Sequence, residues 1–161
     1  ENFNAIKKFS FSQNGMSDLF IVFYEIGIKM LNKNGVLGYI TPSSYFNSIA
    51  GNYMRKYFVK NNLLKMIVDL QHFQAFSATT YTAITILQKN RDNDNVEYYR
   101  FDNNNLIPYY VDTLIPNEYY ISGNYYFASK SDLKMLNKIY CNFGKSDIFV
   151  KVLHHTEKSG Y

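Results

Sequence analysis

The chain has 161 residues, of which 47% are hydrophobic and 19% are charged, and its formal net charge is +4. This composition excludes a disordered chain and leaves room for one domain or for parts of two. A single cysteine excludes an intramolecular disulfide, and no apolar run approaches the roughly 20 residues of a membrane span. We therefore expect a globular cytoplasmic protein without a membrane partner, whose mild basic excess is compatible with a polyanion.

The first predicted helix begins at Ser17, a good N-cap residue, and ends at the Asn34–Gly35 pair. Its apolar residues recur at helical spacing and share one broad face: Leu19, Phe23, Ile26 and Met30. Such a face is typical of a helix that packs on a sheet.

Two apolar runs follow, VLGYI at 36–40 and LLKMIVDL at 63–70. Neither alternates with polar residues, so each is expected to be a strand buried on both faces, with 36–40 and 64–69 parallel. A predicted basic helix, residues 53–61, lies between them.

Two further strands are expected at 80–89 and 96–101, because β-branched and aromatic residues dominate both. The polar turn NRDNDN between them predicts an antiparallel hairpin. The alternation of helices and strands indicates half of a doubly wound α/β sheet that is continuous over residues 36–101.

The composition and the periodicity of the sequence change after Phe101. Residues 102–128 are rich in Asn, Pro and Tyr without a period, so a linker is expected there. Residues 129–161 begin with a helix capped by Ser129 or Ser131 and are expected to continue as the start of a second, β-rich unit.

No catalytic motif is complete in the chain. Neither GxGxxG nor a P-loop occurs, and the adjacent His154 and His155 would face opposite sides of a strand, so no metal site is expected. Asp69 ends a buried strand at the edge where α/β sheets bind ligands, but a solvated carboxylate is the simpler interpretation. The residues by themselves indicate no reaction.

One irregular stretch, QHFQAFSATT at 71–80, carries two phenylalanines, Phe73 and Phe76, among polar residues. Large aromatic residues in such a place either fill the core or offer a flat surface to a ligand. Both interpretations stay open from the residues alone.

Five short patterns occur in a fixed order: SDLFIVF at 17–23, LNKNGVLGYITPSSY at 31–45, MRKYF at 54–58, IVDL at 67–70, and Phe76 before TAITILQK. Over residues 16–89 this order resembles the second half of the catalytic domain of N6-adenine DNA methyltransferases. The resemblance is to those with TaqI-like specificity domains and to the fused type IIG restriction-modification enzymes.

The resemblance implies a fold and an activity for the full-length parent protein. Residues 1–101 would be the C-terminal half of a Rossmann-like S-adenosylmethionine-dependent methyltransferase sheet with a terminal antiparallel hairpin. Residues 102–128 would be a linker, and 129–161 the start of a target-recognition (specificity) domain. The parent would transfer methyl from S-adenosylmethionine to a flipped-out adenine in double-stranded DNA, within a type II restriction system.

Two parts of the family's machinery have no match in this sequence. The Gly-rich cofactor turn and the (D/N/S)PP(Y/F) tetrad are both expected upstream of Glu1. The resemblance therefore implies no catalytic residue in this chain and predicts that the 161 residues alone are inactive and bind S-adenosylmethionine weakly. A nuclease fused upstream stays open, and only a nuclease would require Mg²⁺.

The resemblance also implies roles for individual residues. Phe76 would stack on the extruded adenine, with a core position as the alternative, while Phe73 is expected to support the core or the loop. Leu19 and Phe23 would line the adenine ring of the cofactor, unless they only pack on the sheet. The candidates for DNA-phosphate contacts are Arg55, Lys56 and Lys60, although a solvated helix face is the simpler interpretation.

Two other functions stay open at this point. The chain could be a non-catalytic DNA-binding or scaffold part of a restriction-modification protein, or its parent could methylate RNA, protein or a small molecule. An NPPY-type loop upstream would favour the DNA methyltransferase.

Overall fold

A computed structural model describes residues 3–13, 18–77, 79–102 and 105–143. Its helices are α1 (Phe3–Ile6), α2 (Leu19–Met30), α3 (Asn52–Lys60), α4 (Pro116–Tyr119) and α5 (Lys130–Phe143), with 3-10 turns at Ser10–Ser12 and Ser43–Phe46. Its strands are β1 (Val36–Pro42), β2 (Leu64–Asp69), β3 (Thr82–Gln88), β4 (Val96–Asp102), β5 (Asn105–Leu114), β6 (Tyr120–Ile121) and β7 (Asn124–Tyr125).

The first five strands form one mixed sheet in the order β1-β3-β2-β4-β5, and β6 and β7 form a separate hairpin. Strand β3 is antiparallel to both β1 and β2, so β1 and β2 run parallel to each other without being neighbours. Strand β4 is parallel to β2 and antiparallel to β5. The prediction of one continuous α/β sheet is confirmed.

The predicted hairpin of 80–89 with 96–101 is wrong. Strand β3 lies between β1 and β2, and the chain then passes beneath β2 before β4 pairs with its other side. The polar segment makes this crossing because it is tied to the beginning of β2: Arg91 donates to the carbonyl of Leu64, the first residue of β2, and Asn62 Nδ2 donates to the Asn93 carbonyl over 2.8 Å. The terminal antiparallel hairpin is formed instead by β4 and β5.

The segment 102–128, expected to be an irregular linker, contains β5, α4 and the β6–β7 hairpin. Pro108 interrupts the apolar pattern of β5, and proline fits this strand because β5 has a neighbour on one side only among the described residues. The division into domains at 101 and 128 stays a prediction.

Helix α5 begins where the sequence predicts, after Ser129. The Asp132 amide donates to the Ser129 hydroxyl over 3.3 Å, which identifies Ser129 as the cap. Cys141 is exposed on this helix. The predicted start of a β-rich unit, with the histidine pair, falls on residues 144–161, outside the described residues.

Strand β1 was expected to be buried on both faces, and this is wrong. Val36 and Ile40 are 54% and 40% exposed, whereas Leu37 and Tyr39, on the opposite face, are partly buried beneath helix α2. The described helices α2 and α3 both pack on this second face. The apolar run therefore produces a strand with one covered and one open face.

The core lies between the sheet and helices α2 and α3, and it is rich in tyrosine. Its largest fully buried side chains include Tyr24, Tyr45, Tyr98, Tyr119, Phe58 and Met54. Buried hydroxyls need partners, and two of them find threonines on the sheet: Tyr24 Oη lies 3.1 Å from Thr41 Oγ1, and Tyr45 Oη lies 2.7 Å from Thr85 Oγ1. Burial raises the pKa of Tyr24 to about 12, so the hydroxyl stays protonated.

Candidate functional site

Helix α2 runs antiparallel to β1, and this brings its first turn to the carboxyl edge of the sheet. The ring of Phe20 lies 6.4 Å from that of Tyr45, just beyond β1, and the ring of Tyr24 lies 5.2 Å from that of Tyr39, inside β1. Strand β2 ends at the same edge with Asp69, because β1 and β2 run parallel. The edge therefore brings together the beginning of α2 and the loops after β1 and β2, which is where α/β sheets bind ligands.

Leu19 and Phe23 lie one turn apart at the beginning of α2 and are 53% and 51% exposed. The face of α2 that packs on the sheet carries other residues, among them Ile21, Tyr24 and Ile28. Helix–sheet packing does not account for Leu19 and Phe23, which form an open apolar pair. Asp18 is the residue at the N-cap position, whereas Ser17 lies outside the described residues.

Phe76 belongs to the loop that follows β2, and its ring is 48% exposed. Phe73, three residues earlier, is partly buried. A residue that fills the core is fully covered, so Phe76 does not fill the core among the described residues. Its ring is accessible at the same edge as Leu19 and Phe23.

The beginning of this loop is held by Asp69. Asp69 Oδ1 accepts a hydrogen bond from the Gln71 amide over 3.0 Å, while Oδ2 accepts from Gln71 Nε2 over 2.9 Å and from the Tyr98 hydroxyl over 3.3 Å. Gln71 has a φ of 52°, in the left-handed region, and the carboxylate supports this turn. The carboxylate of Asp69 therefore holds the loop instead of lying free in solvent.

Arg55 was predicted as a DNA-phosphate contact, and the structure contradicts this. Its side chain is 2% exposed, and its guanidinium donates to the carbonyls of Tyr45, Ser48 and Gly123, each over 2.7 Å, and to Asn124 Oδ1 over 3.1 Å. Burial lowers the pKa of Arg55, yet an arginine stays charged at any physiological pH. The Arg55 junction, defined as this residue with its four acceptors, joins α3 to the loop after β1 and to the β6–β7 turn.

The sequence contained a signal for this burial. Gly51, Met54, Arg55 and Phe58 are all buried, and they recur at the spacing of one helix face. Gly51 is required at the junction because a Cβ there would lie 2.6 Å from the Tyr45 carbonyl oxygen and 2.8 Å from Arg55 Nη1. Arg55 therefore belongs to the packed face of α3.

Lys56 and Lys60 are exposed on the opposite side of α3. The helix begins near the carboxyl edge and descends for nine residues, about 13 Å at 1.5 Å per residue. Lys56 is thus nearer to the edge that carries Phe76, and Lys60 lies at the far end. Their contacts with DNA phosphates stay a prediction.

The part of the chain that the structure describes has neither a metal-ligand cluster nor a helix fit to cross a membrane. No group of three His, Cys, Asp or Glu side chains there is arranged to hold a metal ion. No helix there is long and apolar enough to cross a membrane.

Comparison with known proteins assigns the first half of the chain to a family. The family model described as Eco57I restriction-modification methylase matches residues 1–76, a segment that includes α2, β1, α3, β2 and the loop up to Phe76. This segment is therefore similar to restriction-modification methylases, as the order of its motifs indicates.

Two curated relatives match about half of the chain. The chain is 35% identical over 83 residues to the type II restriction enzyme and methyltransferase RM.Eco57I of Escherichia coli, covering 51% of this chain and 8% of that protein. It is 28% identical over 87 residues to the type II methyltransferase M.AccI of Acinetobacter calcoaceticus, covering 53% of this chain and 16% of that protein. The aligned part spans less than a fifth of either relative.

Solved structures give a partial likeness. One is the methyltransferase subunit of a type I restriction-modification system from Streptococcus thermophilus, at 19% identity and a TM-score of 0.46 over 80% of this chain and 25% of that one. Another is a nuclease-deletion mutant of the type ISP restriction-modification enzyme LlaGI with a DNA substrate mimic, at 22% identity and a TM-score of 0.47 over 84% and 11%. Both TM-scores are below 0.5.

Proposed function

We propose that the chain is part of a site-specific DNA methyltransferase of a restriction-modification system, which transfers a methyl group from S-adenosylmethionine to N6 of an adenine. The family match over residues 1–76 and the two methyltransferase relatives support the methyltransferase class. In this proposal the sheet is the second half of a Rossmann-like catalytic domain, and the partner is double-stranded DNA.

The observation that carries the adenine part of the proposal is the exposed ring of Phe76. An enzyme that modifies a base inside a duplex turns the base out of the stack, and the base then needs a flat surface in place of its neighbours. Phe76 offers such a surface at the carboxyl edge of the sheet, on a loop held by Asp69. One base–aromatic stack contributes about 1–3 kcal/mol.

Leu19 and Phe23 fit the part of the cofactor that the family implies for them. They are apolar, half exposed and one helical turn apart, so they would contact the adenine ring of S-adenosylmethionine on one side. When bound, the cofactor supplies an activated methyl group. The two residues supply an apolar surface that excludes water and orients the ring, and neither carries a group that could move a proton.

The test uses the full-length protein that contains this chain, with 2-aminopurine in place of the target adenine. Phe76→Ala removes the stacking ring, so the fluorescence of the bound DNA should change and the methylation efficiency on normal DNA should fall about tenfold to a hundredfold. Phe76→Tyr keeps an aromatic face and should retain most of both signals. Cofactor affinity, measured by calorimetry, should not move.

Ile49→Ala is a matched control, because Ile49 is an exposed apolar residue that is not aromatic. It should leave the fluorescence unchanged. If Phe76→Ala also leaves the fluorescence and the methylation rate unchanged in the folded enzyme, Phe76 does not stack on the base and the proposal fails.

A further inference from the structure

The ring of Phe76 can stack on a base only if the loop presents it in a fixed direction. Phe76 is half exposed, so most of the orientation of its ring has to come from the backbone on either side. Ordering a loop at the moment of binding costs conformational entropy at every residue that is fixed. A loop ordered in advance avoids this cost, and the contacts that order it can be identified.

Local contacts fix only the first turn of the loop. The Phe73 amide donates to the Leu70 carbonyl over 2.9 Å, and the Gln71 amide donates to Asp69 over 3.0 Å. Both bonds join residues two or three positions apart, so they shape the turn without tying the loop to another element. They leave the direction of residues 74–77 to longer-range contacts.

One long-range contact of the loop is made by Phe73. Its ring lies 4.7 Å from the ring of Phe101, at an interplanar angle of 51°. Phe101 is a residue of β4, the strand beside β2, so the pair ties the loop to the sheet. Tilted aromatic pairs at such distances attract each other beyond the effect of the area they bury.

A second aromatic contact joins the beginning of the loop to its end. The ring of His72 lies 5.4 Å from that of Tyr81, edge to face. The Tyr81 carbonyl accepts a hydrogen bond from the Ser43 amide over 2.9 Å, and Ser43 directly follows β1. The loop is thus tied both to β4 and to the end of β1, with Phe76 between the two attachments in sequence.

We infer that Phe73 and Phe101 form a positioning pair, which holds the loop so that the exposed ring of Phe76 faces the base to be stacked. The inference rests on the proposed role of Phe76. Neither ring of the pair touches the substrate in this arrangement, and both act through the backbone of the loop. Phe101 lies beyond the segment that matches the family model, so the site depends on the part of the chain that follows it.

A double-mutant cycle in the full-length protein tests the pair. Phe73→Ala and Phe101→Ala should each lower kcat by about tenfold, because a misdirected ring loses its alignment, and each should change the 2-aminopurine fluorescence of bound DNA. KM for the cofactor should stay unchanged. In a Phe76→Ala background, neither substitution should lower kcat further, since the ring to be positioned is absent.

Two additional variants separate positioning from loss of stability. Phe73→Leu keeps an apolar side chain of similar size and should give a smaller effect in the same direction, also absent from the Phe76→Ala background. Phe9→Ala is the matched control, because Phe9 is a partly buried phenylalanine that packs near Lys29. Whatever it does to stability, its effect on kcat should be the same with and without Phe76.

The outcomes distinguish this inference from the proposed function. If Phe76→Ala changes the fluorescence while Phe73→Ala and Phe73→Leu do not, the pair does not position the ring, and the role of Phe76 stands. If the effects of Phe73 and Phe76 simply add, Phe73 acts on stability alone and the inference is overturned. If Phe76→Ala has no effect at all, the proposed function fails and the inference falls with it.

Discussion

The Arg55 junction and the Phe76 loop both adjoin the carboxyl edge of the sheet, and they invert the usual preference of their residue types. Arg55 is charged, yet it is 2% exposed and donates to four acceptors. Phe76 is apolar, yet its ring is half exposed. Arginine is almost never buried without partners, and Phe76 differs from other exposed apolar residues because its loop lies at the carboxyl edge of the sheet.

The difference shows that the contacts a side chain makes inside the protein indicate its role better than its residue type does. The donors of Arg55 are occupied inside the protein, so the residue stabilises the packing of three segments and has little left for a ligand. The face of Phe76 is unoccupied at the edge where ligands bind. A basic helix therefore contributes to stability, while an apolar loop residue is the better candidate for contact with DNA.

The substitution with the largest expected effect is Arg55→Ala. It would leave three carbonyls and an amide oxygen without a donor in a buried place, and each buried polar group without a partner costs about 1–3 kcal/mol. Water will satisfy some of them, so we expect the free energy of unfolding to fall by about 3 kcal/mol, measured by urea denaturation. Lys56→Ala, at the adjacent exposed position, should change it by less than about 0.5 kcal/mol. Equal effects of the two substitutions would mean that the junction does not stabilise the fold.

A smaller, pH-dependent effect is expected at Glu25, which is also buried and partnered. Burial raises the pKa of this carboxyl, but hydrogen bonds from Lys29, Phe11 and Ser10 outweigh it, and the pKa lies below its ordinary value of 4.5. The Phe11 amide is 2.8 Å from Oε2, and Lys29 Nζ is 2.6 Å from Oε1.

Because the pKa is lower in the folded state, ionised Glu25 stabilises the fold above pH 4.5, and this contribution disappears as the pH falls through the lower folded-state value. Glu25→Gln should therefore cost about 1.5 kcal/mol at pH 7, the lower end of the range for a hydrogen bond to a charged group, and less at pH 3. Melting temperatures of both proteins across this range test the sign. A difference that grows toward acid would contradict the assignment.

The smallest effect on stability is expected for Phe76→Ala. The ring is half exposed and does not fill the core, so the free energy of unfolding should change by less than about 0.5 kcal/mol, as for ordinary surface substitutions. Phe58→Ala is the matched control, since Phe58 is fully buried and its truncation should cost about 3–5 kcal/mol. A loss at Phe76 comparable to that at Phe58 would erase the contrast between the loop and the core.

The sequence by itself determined the main elements of the first hundred residues and the resemblance to restriction-modification methylases. The apolar runs at 36–40 and 64–69 and the β-branched run at 80–89 are strands, and the periodic segments around them are helices, within a few residues at each end. The helix expected to end at Asn34–Gly35 ends at Met30, because the backbone is already extended at Leu31, with a ψ of 132°. The positive φ lies further on, at Asn34. Local periodicity is a property of neighbouring residues, so it can be detected without a structure.

Only the tertiary structure decided which strands pair and which charges are buried. Whether 80–89 pairs with 96–101 or lies between β1 and β2 depends on hydrogen bonds between residues far apart in sequence, and inserting β3 satisfies both of its edges. The charge of Arg55 is evident from the sequence, but its burial is not, because its acceptors come from residues 45–48 and 123–124. Phe101 meets Phe73 only because β4 passes beside β2. Such non-local contacts depend on the packed chain as a whole, since each is formed only after the elements that carry it have come together.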